Sequence, residues 1–339
     1  MTTEWNDFLA RQGYRGDGAG FGDPAGELAA ARDATVLMPL TDVGLIRASG
    51  EDAAGFLHNL LTNDVKGITA DGARLAGLCN AKGRLMATLL IWRSGDDYLL
   101  LLSADLLATV LKKLSMYILR SKVKLADASA ERLLFGIAGP DAAAAIAAEL
   151  GGHEPGEAMS TAAFAGGQAI ALGGARHVLA LDPAAAPAAW QKLARHARPA
   201  GLAAWHWLDI RAGLPRVVAA TTEAFIPQML NFEAVGGVSF TKGCYPGQEV
   251  VARTQYLGKI KRRMYRGRLA APAAAATPVY APETGDQSCG ALVEVAPSPD
   301  GGYECLAVVQ STCAEAGEIR VGNLAGERLG LLPLPYPVG

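Results

Sequence analysis

Short β-prone runs alternate with amphipathic stretches along most of this 339-residue chain, with glycine-bearing turns between them. That alternation constrains the fold more than any other property of the sequence, because each strand and helix must bury one apolar face against a neighbour. Residues 43–48 read as a strand, and Ser49-Gly50 then opens a helix on which Phe56, Leu57, Leu60 and Leu61 recur at helical spacing. Residues 74–78 and 84–93 read as consecutive strands about the Asn80-Ala81-Lys82-Gly83 turn. Residues 98–102 form another strand, and Ser103 is expected to cap a helix carrying Leu106, Val110, Leu114 and Ile118. After a strand at 123–125 the pattern returns, with a strand at 133–137, a helix from Gly139-Pro140-Asp141, strands within 168–181 and a helix over 188–196. This order predicts an α+β fold with two lobes. Past Arg268 the chain loosens at 269–278 and then offers only short β-prone runs, at 291–295, 305–309 and 318–321, which suit a small β-barrel. The expected division is 1–130 and 131–268 for the lobes, which can interleave in sequence, and 269–339 for the barrel.

A chain of this length, 50% hydrophobic and 19% charged, can bury a large core spread over two or three domains. Its net charge of −2 gives no global reason for nucleic-acid binding, so direct binding of that kind is not expected. The most apolar stretch, 89–102, is broken by Arg93, Asp96 and Asp97, which argues against a membrane span. Glu4 and Asp7 make the first residues unlike a signal or transit peptide, and a cytoplasmic location is expected. The cysteines, Cys79, Cys244, Cys289, Cys305 and Cys313, are odd in number and contain no C-x-x-C pair. That usage fits a reducing compartment and offers no four-cysteine cradle for a resident cluster, so no metal site is expected. Cys289, Cys305 and Cys313 read as strand-core positions. The five histidines, His58, His153, His177, His196 and His206, lack zinc-site spacing and read as structural or surface residues.

Chemistry concentrates in Thr241-Lys242-Gly243-Cys244-Tyr245-Pro246-Gly247-Gln248-Glu249. Pro246 suits the first turn of a helix, so Cys244 is expected just outside a helix N-terminus, where unpaired N–H groups and the macrodipole favour a thiolate. Lys242 adds a second cationic influence. Gln248 and Glu249 are expected to cap that helix. A lone cysteine is more often a small buried apolar residue; the flanking lysine and glycines point instead to an exposed loop.

The K-G-C-Y-x-G-Q-E segment followed by V-A-R resembles the signature of the YgfZ family of folate-binding iron-sulfur proteins, relatives of the glycine cleavage T-protein. The resemblance extends over nearly the whole chain, through Leu61-Thr62-Asn63-Asp64-Val65, Asn80-Ala81-Lys82-Gly83-Arg84, Asp209-Ile210-Arg211-Ala212-Gly213-Leu214-Pro215, Phe225-Ile226-Pro227-Gln228 and Pro333-Leu334-Pro335-Tyr336. It implies two ferredoxin-like lobes and a C-terminal barrel around a central folate pocket, with tetrahydrofolate or another reduced folate as cofactor. It also implies a role in assembling or repairing iron-sulfur clusters in client proteins, including enzymes that modify tRNA. Cys244 and Lys242 would carry the chemistry. Trp207 matches a folate-contacting tryptophan of the family, although an ordinary core tryptophan is an equal reading. A companion tryptophan is replaced by Gly44. Arg211, Tyr245, Gln248 and Glu249 complete the expected folate-binding set.

The strand of T-proteins that activates folate carries an acidic pair, and here the matching positions are Ala87 and Thr88. Neither can accept a proton as a carboxylate does, which weighs against aminomethyl transfer. A folate-dependent one-carbon transferase or demethylase remains the alternative, and a folate sensor without chemistry a third. Lys259, Lys261, Arg262, Arg263, Arg266 and Arg268 form a local basic run, read as a solvated face or a seat for an acidic partner, the folate tail or RNA.

Overall fold

The computed structural model describes residues 3–16, 20–258 and 260–338. Lys259, one of the basic run, lies outside them. Mixed α+β content is observed throughout. The chain starts with α1 (Thr3–Arg11) and α2 (Pro24–Asp33), the latter begun by Pro24 in its first turn and by Asp23, whose carboxylate accepts from Gly26 N at 3.1 Å. There follow β1 (Val36–Pro39), β2 (Val43–Ser49), α3 (Ala53–Leu60), β3 (Ala73–Cys79), β4 (Leu85–Ser94) and β5 (Asp97–Ser103). Next come α4 (Leu107–Ser115), β6 (Lys124–Asp127), β7 (Leu133–Ala138), α5 (Ala142–Leu150), β8 (Thr161–Phe164), β9 (Gly167–Gly173) and β10 (Arg176–Leu181). Then α6 (Ala186–Leu193), β11 (Arg198–Pro199), α7 (Leu202–Arg211) and α8 (Gln248–Leu257) lead to β12 (Arg262–Leu269), β13 (Pro278–Tyr280), β14 (Gly290–Pro297) and β15 (Tyr303–Gln310). The chain ends with α9 (Ser311–Ala316), β16 (Arg320–Val321) and β17 (Gly330–Leu332).

One expected cap is corrected. Ser103 makes no side-chain hydrogen bond to the turn it precedes, because residues 104–106 form a single 3-10 turn that shifts the start of α4 to Leu107. The helix also ends at Ser115, before Ile118.

Two compact units are assembled from interleaved pieces of sequence. The first comprises Met1–Ala53, Gly67–Arg74 and Leu90–Trp205; the second Ala54–Lys66, Leu75–Leu89 and His206–Gly339. Within the first, a six-stranded sheet runs β11-β1-β7-β10-β9-β8, antiparallel except where β1 meets β11. Its core is aromatic: Trp5 stacks on Phe135 at 5.0 Å, and Trp190 meets Phe135 edge-on at 5.2 Å. A five-stranded sheet has the order β3-β4-β5-β2-β6.

In the second unit six strands run β16-β13-β14-β15-β12-β17, forming a curled antiparallel sheet. Cys289, Cys305 and Cys313 lie in its core beside Val279, Leu292 and Ile319, but of the three expected strand positions only Cys305 is in a strand, since Cys289 just precedes β14 and Cys313 lies on α9. Burial raises the Cys305 thiol to about 12, which makes it inert as a nucleophile near neutral pH. The C-terminal segment is tied down as well. Tyr336 donates its hydroxyl hydrogen to Gly213 O at 2.6 Å, joining two of the motifs noted in the sequence.

Candidate functional site

The Cys244 loop and the Trp207–Arg211 pair lie in the second unit. The loop bearing Cys244 is held from below by Leu61-Thr62-Asn63. Thr62, fully buried, donates its hydroxyl to Gly237 O at 2.7 Å and accepts from Gly77 N at 2.7 Å. Asn63 Nδ2 donates to Gly236 O at 2.7 Å and to Leu75 O at 2.6 Å, and Ser239 N donates to Thr62 O at 2.9 Å. These side chains satisfy loop carbonyls that strand pairing leaves over.

The far end of the loop is wedged by glycine. Gly247 has φ +79°, and a Cβ there would sit 2.4 Å from Asn80 O and 2.6 Å from Gly83 N. Only glycine permits this approach of the loop to the 80–83 turn. Gly247 also serves as the N-cap of α8, without a side-chain hydrogen bond, which corrects the expectation that Gln248 and Glu249 cap the helix. Gln248 is already the first helical residue, while exposed Glu249 in the first turn still complements the helix dipole.

Between these anchors Cys244 is exposed, whereas Cys79, Cys289, Cys305 and Cys313 are buried. Tyr245 turns inward at 6% exposure, and the Lys242 ammonium sits 4.7 Å from its ring centroid. Lys242 Nζ donates to Leu61 O at 3.0 Å. Burial draws the Lys242 ammonium down to about 8, with Asp64 and Cys244 pulling the other way. Burial likewise raises the Tyr245 phenol and lowers the His58 imidazole, the nearby Lys242 charge adding to the latter. His58 Nδ1 lies 3.0 Å from Asp64 Oδ1. Its Nε2 faces Gly243, 3.8 Å from where a Cβ there would sit. Reading the histidines as structural or surface residues did not anticipate this His58–Asp64 pair beside the thiol loop; the only sequence cue was its six-residue spacing across the end of α3.

A second group forms on α7. Trp207 and Arg211, one helical turn apart, stack with the guanidinium 5.0 Å from the ring centroid. Trp207 is 1% exposed, and its Nε1 donates to Glu304 Oε1 at 3.1 Å. Arg266 Nε lies 3.2 Å from the other oxygen of Glu304, compensating the buried carboxylate. No local signal in the sequence identified Glu304, which lies 97 residues from Trp207. Thus Cys244, Lys242 and Tyr245 share one loop that runs into Gln248 and Glu249, and Trp207 and Arg211 form a separate stacked pair. Gly44 belongs to the first unit, on β2, where Leu107 side-chain atoms lie 3.0–3.3 Å from a would-be Cβ and a large side chain would displace them. Among the described residues no group of three or more His, Cys, Asp or Glu is placed to hold a metal ion, and no helix is long and apolar enough to cross a membrane.

The GCVT N-terminal domain family matches residues 21–235. The tRNA-modifying protein YgfZ of Serratia proteamaculans is 31% identical over 309 residues, covering 88% of this chain and 92% of that one. The protein of the same name from Yersinia pseudotuberculosis is 33% identical over 307 residues, with the same coverage. The glycine cleavage system aminomethyltransferase T from Bartonella henselae has a similar fold, with a TM-score of 0.75, 17% identity and coverage of 99% of this chain and 97% of that one. The chain belongs to the YgfZ family of GCVT-domain proteins, and its fold is T-protein-like.

Proposed function

We propose that this protein is a reduced-folate-dependent factor that supports assembly or repair of iron-sulfur clusters in client enzymes, including enzymes that modify tRNA. The observation that carries the reading is the exposure of Cys244 alone among five cysteines, on a loop pinned at both ends, with a lysine ammonium anchored beside it. A loop so fixed presents one sulfur to a macromolecular substrate at little entropic cost. Cys244 would offer that sulfur as a thiolate ligand to iron of a client's cluster, its proton passing to solvent, and charged Lys242 would stabilise the thiolate. The relatives' shared name supports the link to tRNA modification.

For the folate, the residues present fit in part. Exposed Arg211, steadied over Trp207, suits the carboxylates of a glutamate tail. Trp207 itself is spent on packing and on Glu304, so its contribution would be to hold Arg211 rather than to offer a free ring face. A bound reduced folate would supply an electron-rich pterin.

The alternative, one-carbon transfer, has less support. Ala87 is fully buried, and the Thr88 hydroxyl is occupied in accepting from Val217 N at 3.1 Å, so neither stands in for the missing carboxylates. The deciding experiment is complementation of client-enzyme activity by Cys244→Ala, with tetrahydrofolate binding followed in parallel by tryptophan fluorescence. Loss of client support with folate binding retained is expected. Full client support by the variant would overturn the role of the thiol.

A further inference from the structure

Two basic residues of the sequence motifs noted above, Arg84 after the 80–83 turn and Arg262 in the basic run at 261–268, have no contact with the thiol, yet they converge on one cleft. It lies within the second unit and measures about 260 Å³. Its rim carries Arg84 and Arg262, its floor Phe225, Met229, Ala291 and Val308, and among the described residues no acidic side chain lines it.

The two guanidiniums differ from their neighbours in how they are balanced. Arg263, Arg266 and Arg268, which follow Arg262 along β12, each face a carboxylate, from Glu233, Glu304 and Asp300 respectively. Among the described residues Arg262 and Arg84 face none. Arg84 is nonetheless held in place, since its Nη1 donates to Ala224 O at 2.5 Å and Glu223 O at 3.3 Å. A cation fixed by backbone carbonyls at a cleft mouth keeps its remaining donors aimed outward, already ordered for an anion. The wall holds a further departure. Ala276 lines the cleft with φ +66°, a left-handed conformation that side-chain-bearing residues seldom adopt, fixed by donation of its N–H to Leu292 O at 2.8 Å. Strain of this sort persists where the surrounding structure requires a particular wall shape.

We propose that this cleft binds a small molecule carrying a phosphate or carboxylate group on an apolar stem about the size of one ring. Two uncompensated guanidiniums select the anion, and the Phe225–Met229 floor selects the stem. The volume falls below that of a site for a drug-sized ligand, so either a one-ring compound or the end of a longer one fits. The site is distinct from the Cys244 loop and does not depend on the reading given under the preceding heading.

Phenyl phosphate serves as the probe, titrated calorimetrically into the full chain, with inorganic phosphate and benzyl alcohol as its separate halves. One-site saturable binding of phenyl phosphate is expected, at least tenfold tighter than inorganic phosphate, weakened by salt and absent for benzyl alcohol. Arg262→Gln, which removes a rim charge from an exposed position, should weaken it at least fivefold. Ala291→Leu, which fills the floor and leaves both arginines intact, should abolish it, with unfolding midpoints of both variants confirming a folded chain. No saturable binding to the parent protein, or binding unchanged in both variants, overturns the proposal. Equal affinity for inorganic phosphate overturns the apolar half of it. Displacement by tetrahydrofolate overturns its independence from the folate reading.

Discussion

Replacing Lys242 by Met offers a measurement whose sign can be worked out beforehand. In the folded protein burial lowers the ammonium from an ordinary 10.5 to about 8. Below pH 8 the lysine is protonated in both folded and unfolded chains, and the folded state carries the whole cost of placing a charge there. Between 8 and 10.5 the unfolded chain holds a proton that the folded one has released, so stability rises with pH; above 10.5 the cost is gone. In a fully buried group such a shift corresponds to roughly 3 kcal/mol. Lys242 is only half-buried, and solvent screening reduces the expected effect to ~1 kcal/mol. Urea unfolding of the parent and of Lys242→Met at pH 7, 9 and 10.5 isolates this group, because contributions common to both proteins cancel. The lost hydrogen bond to Leu61 O and the lost contact with Tyr245 give the variant a constant offset, while the difference between the two should move by ~1 kcal/mol in favour of the parent from pH 7 to 10.5. A flat difference, or one that moves in favour of the variant, would refute the burial argument and with it the picture of an ammonium anchored beside the thiol.

Two further outcomes follow from the same loop. A thiol-alkylating reagent should modify one cysteine rapidly in the folded chain and all five only after unfolding, and Cys244→Ala should remove the rapid phase; a second fast equivalent would contradict the burial of the other four. Gly247→Ala should cost about 2–3 kcal/mol, since it places a side-chain-bearing residue at positive φ and drives a methyl against the 80–83 backbone. Denaturant midpoints measure it, and a change under about 0.5 kcal/mol would show that the loop is not wedged as described.

Local pattern carried much of the secondary structure. The 80–83 turn is flanked by β-prone residues on both sides, and β3 and β4 form where that predicts. Gly139-Pro140-Asp141 likewise precedes α5, and the apolar runs around Cys305 fix it in a core. The chain stretches that hold the site were harder to read, because their partners are distant. Thr62 and Asn63 look like turn formers, and only the folded chain reveals that they grip carbonyls at 236 and 237. The Trp207–Glu304 bond joins α7 to β15 with no shared periodicity to betray it. Ser103, Gln248 and Glu249 depart from expectation for the opposite reason: each is a favourable cap residue, but a 3-10 turn in one case and Gly247 in the other sets the helix start.

The second unit is stitched from three separated stretches, and the cradle for Cys244 uses all of them. During synthesis the residues that grip the loop leave the ribosome some 175 positions before the carbonyls they grip. The nascent chain therefore cannot close the cradle around Cys244 until residues 236 and 237 have been made, and a chain stalled earlier holds Thr62 and Asn63 with no loop carbonyl to grip.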